Sequence, residues 1–274
     1  MKYALALVSV LALAACTTPA PATPTEAPAA AEDTVFPTTG LVDYQLGGGY
    51  EPPAGTTIVA RDRTDVPAPG VFTICYVNGF QSQGADASFW LDEHPLLVLR
   101  DASGDPVYDE NWPDEFLFDT STDLKRTALS SIVGDWIDGC AADGFDAVEF
   151  DNLDSFTRSG DLLTEENNVA FATILAGRAH DAGLQAGQKN SAELSANGPE
   201  IGFDFAVAEE CHRWDECAAY TEVYGDFVVD IEYFDDLRGT VADVCADENT
   251  PALTVVRDRN LATPESADYR YEVC

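Results

Sequence analysis

The chain has 274 residues, enough for one large domain with a substantial core or for two small ones. Hydrophobic residues make up 46%, which excludes a mainly disordered chain. A net charge of −35, with 14 Lys and Arg against 49 Asp and Glu, excludes the clustered phosphate contacts of a nucleic-acid binder.

The N-terminal "MKYALALVSVLALAAC" has a basic start at Lys2, an apolar run too short to span a bilayer, and small residues before Cys16. "LAAC" resembles a bacterial lipobox. Residues 1–15 are therefore expected to be a lipoprotein signal peptide, with Cys16 lipidated and the protein exported and held at a membrane. An ordinary cleaved signal is the alternative. Residues 16–38 are rich in Pro, Ala and Thr and read as an extended tether. The folded domain is expected over 39–274.

Eight short strands follow, at 42–46, 57–61, 72–78, 146–152, 184–190, 205–211, 227–234 and 251–258. Several are almost continuously apolar, as in strands buried on both faces of a parallel sheet. Apolar spacing predicts helices over 124–140 and 165–182, capped by Thr122 or Asp123 and by Thr164, with Gly144 and Gly183 after their ends. Eight strands with interleaved helices favour a single-domain TIM-type (β/α)8 barrel, and no Gly-rich phosphate fingerprint supports a dinucleotide fold.

Apart from Cys16, six cysteines remain, an even number that suits export and three disulfides, although six allow 15 connectivities. The expected pairs are Cys75–Cys140, Cys211–Cys217 and Cys245–Cys274. With three histidines and no CxxC pair, a structural zinc site is not expected, nor is any cofactor.

A barrel explains why the buried-looking strand "DAVEFDN" runs into carboxylates, because barrel active sites lie where strands end. Polar strand-end residues recur: Asp43, Asp62, Asn78, Glu149, Asp151, Asn152, Lys189, Asn190, Glu209 and Glu232. Together they define one rim.

The blocks "DYQLGGGYEPPAG", "ICYVNGFQSQ", "GFDAVEFDNLDSF", "QKNSAEL" and "FDFAVAEECHRWDEC" resemble glycoside hydrolase family 114, the endo-α-1,4-polygalactosaminidase-like barrels. They run from Asp43 to Cys217. Phe150 departs from the Pro expected there in many relatives. The resemblance implies an endo-acting glycosidase of α-1,4-linked galactosamine-containing polysaccharide, with Asp151 paired to Glu209.

Such chemistry needs two carboxyls in different environments, one protonated and one ionised. Alternation points Glu149 and Asp151 the same way, with Asp151 nearer the rim. Asp151 is the expected nucleophile or ionised partner and Glu209 the proton donor, with Glu149 supporting them. Lys189 and Asn190 are expected to hold sugar hydroxyls or orient Asp151. Tyr44, Tyr76, Trp90 and Tyr233 are candidate stacking platforms. Asp43, Asp62 and Glu232 are candidate ligands for the ammonium of a cationic galactosaminan.

Two rival readings share these residues. One is a non-catalytic polysaccharide-binding lipoprotein with the same barrel. The other is a metal-dependent hydrolase using Glu149, Asp151 and Asp154, which lacks the Gly-turned ligand loop of a calcium site. A monomer is expected.

Overall fold

A computed structural model describes residues 35–274. The expected signal peptide, Cys16 and most of the expected tether lie outside the described residues. Nine strands form one sheet in sequence order: β1 Leu41–Tyr44, β2 Thr56–Asp62, β3 Phe72–Asn78, β4 Ala147–Asp151, β5 Gln185–Lys189, β6 Phe205–Glu209, β7 Val228–Tyr233, β8 Leu253–Arg257 and β9 Tyr271–Val273. The first eight are parallel, and β9 runs antiparallel to β8. With helices between the strands, the fold is a nearly closed TIM-type barrel in a single domain.

The two long helices form where the apolar spacing requires them. α1, Asp123–Asp143, starts at Thr122, whose side chain accepts from Lys125 N, and stops at Gly144 in a left-handed conformation with φ of 93°. α2, Glu165–Asp181, starts with a reciprocal capping box between Thr164 and Asn167. Shorter helices complete the outer layer: α3 Gly198–Ile201, α4 Cys211–Trp214, α5 Cys217–Tyr224 and α6 Val241–Ala246.

Alternation divides the core in two. Ile58, Ala60, Ile74, Ala147, Phe205, Val207, Val229, Ile231 and Val255 fill the barrel. Cys75, Val77, Val148, Phe150, Ala206 and Ala208 face outward against Leu129, Val133, Phe171 and Leu175 of α1 and α2. Phe150 is fully buried in this outer layer, so its side chain packs away from the barrel axis.

Side chains join β1 to β8. Arg257, fully buried, donates to Asp43 Oδ1 at 3.1 Å, to the Tyr44 carbonyl, and to Ala262 O at 2.9 Å. Tyr271 of β9 donates its hydroxyl to Val42 O at 3.0 Å, so the last strand also lies against the seam. The cysteines are bridged as Cys75–Cys140, Cys211–Cys217 and Cys245–Cys274, the pairs expected from the sequence. The first spans 65 residues and ties β3 to α1, a constraint on the unfolded chain of about 4 kcal/mol in the loop-entropy picture.

Among the described residues, no helix is long and apolar enough to cross a membrane.

Candidate active site

Three neighbouring strands end in the same way. β4 ends at Asp151, β5 at Lys189 and β6 at Glu209, and each is followed by a residue in the left-handed region: Asn152 (φ 62°), Asn190 (φ 51°) and Glu210 (φ 63°). The left-handed residue turns the backbone out of the sheet and leaves the last side chain on the rim. Asn accepts this conformation readily, whereas at Glu210 it is strained.

Lys189 organises the floor. It is 1% exposed, and its ammonium lies 3.2 Å from Glu209 Oε2, 3.5 Å from Asp151 Oδ1 and 3.8 Å from Glu149 Oε2. It also donates to the Tyr44 hydroxyl at 3.1 Å, and the Tyr44 and Tyr76 rings lie 5.5 and 5.4 Å from it. Burial by itself would lower its pKa. Asp151, Glu209 and Glu149 outweigh that and hold it well above the ordinary value, so it remains charged.

The three carboxyls differ. Burial alone would raise Asp151, but the Lys189 ammonium, the Tyr76 hydroxyl at 2.6 Å and the Asn152 N–H at 2.9 Å hold it below the usual range. Glu149 lies deeper and is fully buried, and burial pushes it up to about 7 against the pull of Lys189. Neither of its oxygens has a hydrogen bond of ordinary geometry. Glu209 accepts from the Tyr233 hydroxyl on one oxygen and from Asn190 Nδ2 at 3.2 Å on the other. Its own N–H donates to Asn190 Oδ1 at 2.7 Å, which fixes the Asn190 amide.

Above this floor is a cleft of about 350 Å³, whose lining includes Tyr76, Asn78, Asn152, Tyr233 and the three strand-end residues. Its far wall comes from the connection between β3 and α1, which folds back on itself through isolated bridges at Gln81–Leu117 and Tyr108–Phe116. That wall carries Trp112, 59% exposed, and Glu115, which accepts from Gln81 at 2.9 Å and is raised by burial. Arg158 holds the wall in place. It pairs with Asp109 at 2.7 Å and donates to Asn152 Oδ1 at 2.8 Å, while Asp109 accepts from the Asn111 and Trp112 N–H groups.

Several sequence expectations change here. Asp43 is fully buried, bound to Arg257, Gln45 and Tyr50, because its outward position on β1 places it at the seam. Glu232 faces outward between Ile231 and Tyr233, and accepts the His212 N–H at 2.7 Å at the start of α4. Neither is a ligand in the cleft. Tyr44 and Glu149 are fully buried below the cleft and reach it only through Lys189. Trp90 is fully buried against Phe118 and is no platform. Asp62 borders an adjoining cavity that shares Leu46 and Gly47 with the cleft. Trp112, Glu115 and Arg259 went unnoticed in the sequence. For Trp112 and Glu115 the available signal is the acidic, aromatic run "DENWPDEF" in the connection after a barrel strand; Arg259 has no comparable signal.

The family model of glycoside-hydrolase family GH114 matches residues 23–274. The chain belongs to this family. It is a glycosidase.

Solved structures agree on the fold of this GH114 member. Ega3 of Aspergillus fumigatus, in a complex with galactosamine, is 21% identical, with a TM-score of 0.68 over 90% of this chain and 98% of that one. The glycoside hydrolase domain of PelA from Pseudomonas aeruginosa is 17% identical, with a TM-score of 0.55 over 84% of this chain and 98% of that one. No curated protein sequence is significantly similar.

Proposed function

We propose that this GH114 enzyme is an endo-acting hydrolase of α-1,4-linked galactosamine-containing polysaccharide, with Asp151 as nucleophile and Glu209 as proton donor. The observation that carries the assignment is the placement of Lys189 Nζ between Asp151 Oδ1 and Glu209 Oε2. As Asp151 attacks the anomeric carbon its negative charge is consumed. As Glu209 gives its proton to the departing glycosidic oxygen, a negative charge appears there. The charge thus moves from one side of a single ammonium to the other and stays paired throughout. In the second half, Glu209 takes a proton from water, the water oxygen attacks the sugar, and Asp151 is released.

The covalent route is the retaining one, in which the two carboxyls stand about 5 Å apart, against roughly 6.5–9.5 Å in inverting enzymes that seat a water between them. Asp151 Oδ1 and Glu209 Oε2 share the Lys189 ammonium at 3.5 and 3.2 Å. Asn190 and the Tyr233 hydroxyl stabilise the Glu209 carboxylate once it has given up its proton.

The substrate class rests on the family, on the galactosamine in the Ega3 structure, and on acidic groups around the cleft. Three disulfides support an exported protein, and the lipobox at Cys16 supports a lipid anchor. The decisive experiment measures reducing ends released from galactosamine, N-acetylgalactosamine and galactose polymers. Release from the first, lost in Asp151→Asn and Glu209→Gln, supports the proposal; release from galactose polymers alone overturns the substrate.

A further inference from the structure

A second cavity borders the catalytic cleft at Glu209. It has a volume of about 340 Å³, with Asn190, Ser191, Glu193, Trp214 and Glu216 in its lining. Glu209, the proposed proton donor, belongs to both walls.

The lining of this second cavity includes a residue with an unpartnered polar group. Ser191 is 8% exposed, and its Oγ is buried without a hydrogen-bond partner. A buried hydroxyl without a partner costs on the order of 1–3 kcal/mol, a cost that a ligand hydroxyl can relieve. The rim carries Trp214, 55% exposed, inside the short loop closed by Cys211–Cys217. Arg213 covers the Trp214 ring with its guanidinium 4.6 Å from the centroid, and Asp236 holds Arg213 at 3.0 Å. The ring is thus held in place before any ligand arrives, which lowers the ordering cost of binding.

The charge of the cavity is one-sided. Its lining contains Asp154, Glu193, Glu209 and Glu216 and no Lys or Arg. Asp154 is paired with Arg158 from outside the cavity at 2.8 Å. Glu193 and Glu216 face one another's field, and burial with the Glu193 charge raises Glu216.

We propose that this cavity is a second sugar subsite, in which the next hexosamine unit of a polymer spanning Glu209 stacks on Trp214, bonds Ser191 and presents its ammonium to Glu193 and Glu216. This rests on the galactosaminan reading and adds where the chain runs. A flat sugar face suits an exposed indole, an unpaired hydroxyl suits the sugar's own hydroxyls, and a cation suits two carboxylates without a local counter-charge.

The test uses α-1,4-galactosamine oligomers of increasing length with wild type, Trp214→Ala, Trp214→Phe and the double variant Glu193→Gln/Glu216→Gln. In wild type, kcat/KM should step up at the length that fills the second cavity. Trp214→Ala should lose about three- to tenfold on the longer oligomers and leave the shorter ones unchanged, and Trp214→Phe should recover most of it. The double Gln variant should weaken free-amine oligomers and leave N-acetylated ones alone. Equal loss at all lengths, or no loss at any, overturns the subsite. Binding of the same oligomers to Asp151→Asn reads the subsite without turnover. If wild type cleaves none of them, the hydrolytic proposal falls; if affinity for Asp151→Asn does not depend on Trp214, the subsite falls independently.

Discussion

The Tyr76 hydroxyl donates to Asp151 Oδ2 at 2.6 Å, across the register in which Asn78 of β3 sits beside Asp151 of β4. Burial and the Asp151 charge keep the phenol protonated, so it is a permanent donor to the carboxylate. Removing it in Tyr76→Phe should raise the pKa of Asp151, since a bond to the charged form is lost. The acidic limb of kcat/KM should then move to higher pH, making the loss larger at pH 4 than at pH 7. A uniform loss across pH would remove Tyr76 from this role.

Asp151→Asn and Glu209→Gln should each reduce turnover by roughly 10²–10⁴-fold while a cooperative melting transition persists. Glu149→Gln should be milder, because Glu149 lies below the cleft and acts only through Lys189. Steady-state kinetics on one polymer checks all three. If Glu149→Gln is the most damaged, the roles along β4 are reversed.

Glu149 also makes stability depend on pH. Its ordinary value is 4.5 and burial raises it to about 7, so the folded protein holds this proton more tightly than the unfolded chain does. The stabilisation is complete below the unfolded value and is lost as pH rises through the folded one. The loss is on the order of 3 kcal/mol. Urea denaturation at pH 5 and pH 8 should show the advantage of wild type over Glu149→Gln shrinking with pH. A constant difference would contradict it.

Salt should separate cationic from neutral substrates. The chain carries −35, and the cleft lining sets Glu115, Asp151 and Glu209 against Lys189 and Arg259. KM for a deacetylated polymer should rise as the Debye length falls below about 8 Å, while kcat changes little. A fully N-acetylated polymer should show no trend. The same response from both polymers would reduce the acidity to a matter of solubility.

Cys16→Ser should release the protein from the membrane fraction and leave the activity of the folded domain unchanged. Fractionation with reporter-tagged cells checks this directly. Wild type found in the soluble fraction would indicate an ordinary cleavable signal.

Local periodicity determined much of this protein. Alternation along "DAVEFDN" placed Glu149 and Asp151 on one side of β4 and Phe150 on the other, because side chains on a strand switch faces at every residue. The helix starts at Thr122 and Thr164 and the stop at Gly144 were readable because each depends on a few adjacent residues. The same alternation separates Glu232, which faces the helices, from Tyr233, which faces the barrel. Tertiary structure alone decided the rest. Arg257 of β8 reaches Asp43 of β1 only once the barrel curves round, and no local pattern announces an ion pair 214 residues apart. Trp112 and Glu115 enter the cleft because a long connection folds back and is held at Asp109 by Arg158, which follows β4. β9, three residues long, owes its existence to the seam it lies against. Lys189 holds carboxyls from β4 and β6 around one ammonium, an arrangement fixed by strand order and register that no single strand encodes.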